Sequence, residues 1–156
     1  MSNTIIISIE GNIGSGKSTL VDLLKERLQN QNKNLKICFL KEPVDQWEKF
    51  KDIDGETILE KYYANQSKYA FQFQMMAYIS RLSSIKSVLK ENYDVIICER
   101  SVLTDKNVFA QMLYDDNKLT DIEFDIYNAW FNEFIKDIPN LYTIYLKTSP
   151  NISAHF

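Results

Sequence analysis

One stretch constrains this chain more than any other: Gly11-Asn12-Ile13-Gly14-Ser15-Gly16-Lys17-Ser18 has the spacing G-x-x-x-x-G-K-[S/T]. Residues 4–10 before it form a near-continuous β-branched run, the pattern of a strand buried on both faces. Residues 17–30 after it read as a helix, with Leu20, Leu23, Leu24 and Leu28 on one stripe. A glycine-rich loop that leaves a strand and opens a helix wraps its backbone N–H groups around phosphate oxygens, with the positive end of the helix behind them. Gly11 through Thr19 is therefore the candidate phosphate loop. In such a loop Lys17 bridges the outer phosphates and the Ser18 hydroxyl serves Mg²⁺. A chance glycine turn accounts for the loop alone, but not for the strand before it and the helix after it.

The remainder of the chain continues the alternation. A polar break over residues 30–34 precedes a second strand at 35–40, and Pro43 interrupts the regular structure beyond it. Helices are predicted over 57–65 and 69–91, the second carrying Phe73, Ala77, Leu82 and Leu89 among its apolar positions. A third strand is expected at 94–98, then helices at 105–114 and 121–137, with Thr120 or Asp121 as N-cap of the latter. Pro139-Asn140 ends that helix, and 141–146 is a fourth strand. The pattern predicts an α/β fold of the P-loop type, a parallel central sheet flanked by helices with the phosphate loop after its first strand. A length of 156 residues is expected to form a single domain over 1–156.

Composition removes several classes of protein. An apolar content of 45% excludes a disordered chain, and 4 Gly, 3 Pro and 2 Cys exclude collagen or a disulfide scaffold. With 18 basic against 21 acidic residues the net charge is −3, which argues against a general nucleic-acid binder. Any bound anion must be gripped locally. No apolar run is long enough to span a bilayer, and Met1-Ser2-Asn3-Thr4 has no basic leader, so no membrane partner and a cytoplasmic location are expected. The abundance of Asn, Lys, Ile and Tyr fits an AT-rich bacterial or viral genome. Cys38 and Cys98 lie in apolar runs without metal-ligand spacing and read as buried thiols. His155, the single histidine, is given no role.

Two further strand ends carry charge. Lys41-Glu42-Pro43-Val44-Asp45-Gln46-Trp47 comes after the second strand, and Cys98-Glu99-Arg100-Ser101 closes the third. Carboxyl ends of strands in an open α/β sheet face the ligand crevice, the same end that bears the phosphate loop. There Glu42 can accept a proton from an attacking hydroxyl, Glu99 can hold hydrated Mg²⁺, and Arg100 can offset developing negative charge. By spacing, Gln74, Ala77 and Arg81 share a helix face, and a side-chain amide suits the edge of a nucleobase. Phe73 and Phe109 offer stacking faces, although by spacing alone an aromatic-rich core helix is the better reading.

Together these stretches resemble the deoxynucleoside kinase family, the group of deoxycytidine, deoxyguanosine and insect multisubstrate kinases. The resemblance rests on the run from Glu10 to Thr19, on Glu42-Pro43-Val44-x-x-Trp47, on Phe71-x-Phe73-Gln74 with Ser80-Arg81, and on Glu99-Arg100-Ser101-x-x-x-Asp105. It implies transfer of the γ-phosphoryl of ATP to the 5′-hydroxyl of a deoxynucleoside, with Mg²⁺, in nucleotide salvage. Glu42 would be the general base with Arg100 beside it. Gln74 would bond the base, Trp47, Phe73 and Phe109 would line its pocket, and Tyr63 would meet the sugar 3′-hydroxyl. Glu99 would belong to the magnesium site. Arg81 with Asp105 marks the branch that accepts deoxycytidine or purines over thymidine. The family also implies a homodimer through helices matching 69–91 and 121–137.

The sequence departs from the family after the fourth strand. Thr148 to Ser153 begin the passage to a further helix, and no arginine comes after Arg100, so the C-terminal lid and last strand are expected to be missing. The expectation is a C-terminally incomplete kinase, with a weakly active or inactive nucleotide-binding protein as the alternative. A thymidylate-kinase-like enzyme acting on nucleoside monophosphates is a further alternative. It calls for a cation where this chain has Glu42.

Overall fold

A computed structural model of the chain describes residues 4–31, 34–139 and 141–149. In order these form β1 (Ile5–Glu10), α1 (Lys17–Gln31), β2 (Ile37–Leu40), α2 (Val44–Trp47), α3 (Ile58–Ala64), α4 (Gln66–Leu89) and β3 (Val95–Glu99). Then come α5 (Val102–Thr104), a π-helical turn (Asp105–Ala110), α6 (Gln111–Asp115), α7 (Asp121–Phe134), a 3₁₀ turn (Ile135–Asp137) and β4 (Leu141–Tyr145). The chain divides into two compact units. Pro43–Ser83 and Val102–Asp137 form one, and the other described residues form the second. His155 and the stretch from Pro150 onward, like Met1 to Asn3, Asn32, Lys33 and Asn140, lie outside the described residues.

The sheet unit is built on four parallel strands in the order β2-β3-β1-β4. Parallel neighbours need long crossovers, which is why the alternation of strand and helix signals is informative. β1 has a partner on each side, and Ile6, Ser8 and Ile9 are fully buried. Beneath it Ile9, Val21 and Ile97 form a core, with Leu20, Leu24, Leu28, Ile37 and Phe39 packed against them. Leu23 does not join the stripe expected of it and is exposed. At about 100° per residue the buried face centres on Val21, Leu24 and Leu28, and Leu23 points well to one side. Of the two thiols, Cys98 is buried as expected, whereas Cys38 is only half-buried because β2 is an edge strand. Burial is still the main cause that raises the Cys38 thiol above its usual range. Among the described residues β4 pairs with β1 alone, and Tyr142, Ile144 and Tyr145 are exposed on it.

The helical unit packs around aromatic rings. Tyr78 is fully buried and lies 5.7 Å from the Tyr127 ring and 5.4 Å from Phe131, centroid to centroid. Its hydroxyl donates to the Phe131 carbonyl at 3.4 Å. α3 and α7 begin with capping boxes, Thr57 with Glu60 and Thr120 with Glu123, in which side chains satisfy N–H groups that the first turn leaves open. Thr120, rather than Asp121, is the cap of α7. No described helix is long and apolar enough to cross a membrane.

Burial, reinforced by the Asp105 and Asp137 charges, pushes the Tyr78 phenol up to about 12. Burial, again with Asp105, raises Tyr127 as well. An unfolded tyrosine ionises near 10, so between the two values the unfolded chain loses protons that the folded chain keeps. This contribution to stability is complete below about pH 10 and is lost as pH climbs toward about 12. Denaturation midpoints should fall steadily above about pH 10, in step with late-titrating phenolate absorbance, and Tyr78→Phe should flatten the decline. A midpoint that is level across this range would contradict the burial assigned to these rings.

Candidate active site

In the sheet unit, the parallel register sets Ile9 beside Glu99, so the loop after β1 and the charges after β3 emerge side by side. β2 pairs with β3 on its other edge and delivers Glu42 to the same end of the sheet. Three chain segments far apart in sequence thus end together because their strands run parallel.

Gly11 opens the loop under steric compulsion. Its φ is +155°, and a Cβ there would sit 2.7 Å from the Leu146 carbonyl oxygen and 2.7 Å from Ser15 Oγ. Gly16 (φ +88°) makes the last bend before α1, where a side chain would be strained. The loop closes on itself through Ser15 N–H to the Asn12 carbonyl at 3.2 Å. Lys17, only 5% exposed, donates from Nζ to the same carbonyl at 2.6 Å. Its ammonium titrates below the usual lysine range, first because it is buried and next because Arg100 is near. Glu99, Glu42 and Glu10 oppose that shift. Ile13 and Asn12 are exposed at the loop's crest, and Thr19 lies in the first turn of α1.

Ser18 Oγ donates to Glu99 Oε1 at 2.7 Å. A hydroxyl beside a carboxylate is a hard-oxygen donor pair of the kind Mg²⁺ takes when substrate phosphates supply its other ligands. Among the described residues no cluster of three or more His, Cys, Asp or Glu side chains stands ready to hold a metal. Arg100 adopts a left-handed backbone (φ +63°), costly for a side chain with a Cβ, while its N–H donates to the Ile9 carbonyl at 3.1 Å. Its Nε lies 3.7 Å from Glu42 Oε1, so the predicted cation and base meet.

The helical unit gathers the other predicted residues. Trp47 and Phe73, both buried, meet edge to face at 5.4 Å. Gln74, Ala77 and Arg81 are all buried along α4, as their spacing predicts. Arg81 Nε donates to Asp105 Oδ2 at 2.8 Å, an ion pair whose side chains are 5% and 4% exposed. The Gln74 amide oxygen is buried and has no hydrogen-bond partner among the described residues. Asp105 and the half-buried Phe109 share the π-helical turn. Tyr63 is exposed, tilted against Tyr62 at 5.4 Å.

Sequence reasoning gave several members no role. Tyr62 is buried and stacks on Phe73 at 4.5 Å, a position that the adjacent, recognised Tyr63 obscured. Ser80 accepts the Trp47 indole N–H at 2.9 Å; it lies seven residues after Phe73, two helical turns, a spacing that marks one face. Glu10, bonded by the Ser8 hydroxyl on one oxygen and buried on the other without a hydrogen-bond partner among the described residues, opens the family-like run to Thr19, but the sequence gives it no role of its own.

A parallel sheet whose inner strand ends in this loop, flanked by a paired carboxylate and guanidinium, defines the class of P-loop α/β nucleotide-binding proteins. Comparison narrows the class: the deoxynucleoside kinase family profile matches residues 7–155, and the chain belongs to that family. It is 40% identical to a fowlpox virus protein named "Probable deoxycytidine kinase" over 94% of this chain and 57% of that protein. It is 31% identical to human deoxycytidine kinase over 96% of this chain and 63% of the human protein. With chicken deoxycytidine kinase 2 the identity is 33%, over 92% of this chain and 60% of that protein. The chain thus spans about three fifths of the length of these relatives.

Because Arg81 and Asp105 are both buried, removing Arg81 takes the opposite charge away from a buried carboxylate. Arg81→Leu should cost about 3–5 kcal/mol, and the double variant Arg81→Leu with Asp105→Leu should recover much of it. Chemical denaturation of the three proteins measures this. Equal losses in the single and double variants would contradict a tightly coupled pair.

Proposed function

We propose that this chain acts as a deoxynucleoside 5′-kinase in nucleotide salvage, moving the γ-phosphoryl of ATP to the 5′-hydroxyl of deoxycytidine or a purine deoxynucleoside ahead of thymidine. The observation that carries the reading is the Glu42–Arg100 pair in the unit that holds Lys17. A carboxylate at that strand end suits a neutral hydroxyl acceptor and repels a monophosphate, which sets this reading above a thymidylate-kinase-like one. The names of the relatives point the same way.

In the proposed reaction Glu42 takes the 5′-hydroxyl proton as that oxygen bonds to the γ-phosphorus, and the bond to the β-phosphate oxygen breaks to release ADP. Lys17 and Arg100 offset the charge spread over the transferring group, and the N–H groups of Gly11 to Thr19 orient the donor. Ser18 and Glu99 would hold Mg²⁺, which neutralises phosphate charge when bound. No covalent intermediate on the protein is involved, so positioning and electrostatics carry the rate.

Base selection falls to the helical unit. A buried amide oxygen without a partner is costly, and the exocyclic amino group of cytosine or adenine would satisfy it. Thymine offers a carbonyl oxygen at the corresponding place. Trp47, Phe73 and Phe109 supply stacking surfaces, Arg81 and Asp105 further polar groups, and Tyr63 a hydroxyl for the sugar. The same reading takes residues 1–156 as one kinase domain of a cytoplasmic protein that recognises neither nucleic acid nor membrane. It also includes a homodimer through α4 and α7, supported by exposed Ile122, Ile126 and Trp130 at helical spacing on α7.

Labelled γ-phosphate transfer from ATP to the four deoxynucleosides tests the proposal. Deoxycytidine or a purine deoxynucleoside should lead, and Glu42→Gln should lower kcat by at least about a hundredfold with the fold intact. Thymidine preferred tenfold, or full activity in Glu42→Gln, would overturn the corresponding part.

A further inference from the structure

The chain beyond β4 returns to the phosphate loop. Leu146 N–H donates to the Glu10 carbonyl at 2.7 Å, and the Leu146 carbonyl lies against Gly11. Two residues on, the Thr148 hydroxyl donates to the carbonyl oxygen of Ser15 at 3.1 Å, across 133 positions of sequence. Ser15 is thereby held on both of its peptide planes, its N–H by the Asn12 carbonyl and its C=O by Thr148.

The second of those planes matters because of what lies at its other end. A trans peptide is planar and sets its C=O and N–H on opposite sides. Fixing the Ser15 carbonyl therefore fixes the direction of the Gly16 N–H, which has no backbone acceptor among the described residues. Gly16, at φ +88°, has no Cβ to resist rotation of that plane. A rotated plane would present a carbonyl oxygen where a phosphate needs an N–H. The tether on the Ser15 carbonyl comes from outside the loop.

We propose that Thr148 is a positioning residue for the phosphate loop: its hydroxyl locks the Ser15–Gly16 peptide so that the Gly16 N–H faces the nucleotide phosphates. The proposal rests on the reading of Gly11 to Thr19 as the ATP site, and its test separates the two. Titrations of the full chain with ATP in Mg²⁺ and, separately, with deoxycytidine compare wild type, Thr148→Val and Thr148→Ser, with thermal midpoints alongside. Thr148→Val keeps the shape and loses the hydroxyl. It should raise Kd for ATP about fivefold, the worth of one hydrogen bond, while the deoxycytidine Kd and the midpoint stay near wild type. Thr148→Ser should bind ATP as wild type does.

Unchanged ATP binding in Thr148→Val would overturn the proposal alone. So would a serine variant as weak as the valine, or equal weakening toward ATP and deoxycytidine with a lowered midpoint, since each marks a merely structural hydroxyl. A wild-type chain that binds deoxycytidine but no ATP would overturn the phosphate-site reading and the proposal with it.

Discussion

The sheet unit depends on β1 having a parallel partner on each side. Pairing with β3 sets the height at which Glu99 and Arg100 leave the sheet, and pairing with β4 brings the Leu146 carbonyl against Gly11. A loop that presents N–H groups to an anion leaves most of them without partners of its own, so part of its shape has to come from elsewhere. Here the loop bonds itself at Asn12, while Leu146 crowds Gly11 and Thr148 holds Ser15 from outside it. The glycines give the loop its freedom, and the neighbouring strands remove most of it again.

Charge is arranged on the same scaffold. Lys17 and Arg100 are both nearly buried, a costly placement for two cations in one unit. Glu99, Glu42 and Glu10 supply opposing charge from the ends of three different strands. The Lys17 ammonium donates to the neutral Asn12 carbonyl. An incoming polyphosphate would replace that contact with a stronger one, charge against charge. The strained backbone at Arg100 fits the same picture, since a residue held in a rarely populated conformation needs surroundings that determine it.

The helical unit solves a different problem, that of holding polar groups still among aromatic rings. Trp47, Phe73 and Tyr62 form a continuous aromatic group, tied to α4 by the bond from the indole to Ser80. The Arg81–Asp105 pair sits at the start of a π-helical turn, a wound-out stretch of a kind found often at functional sites. Such a buried pair adds little net stability, but it fixes direction, because neither partner can leave the other without a large penalty.

Much of this was legible in the chain itself. The phosphate loop, the alternation of strands and helices, the charged strand ends and the Gln74, Ala77, Arg81 face all derive from local periodicity and backbone chemistry, which act over a few residues. The same local reasoning gave no contact to Ser80, Tyr62 or Thr148, and it miscast Leu23 and Cys38. Their placement depends on which residue comes to lie opposite, and that is fixed by strand order, register and the axial rotation of a helix. Sequence by itself determined that the chain carries a phosphate loop on a parallel sheet. Only the tertiary structure decided that Glu42 meets Arg100, that Gly11 has no room for a side chain, and that Thr148 holds Ser15, because those contacts join residues that only packing brings together.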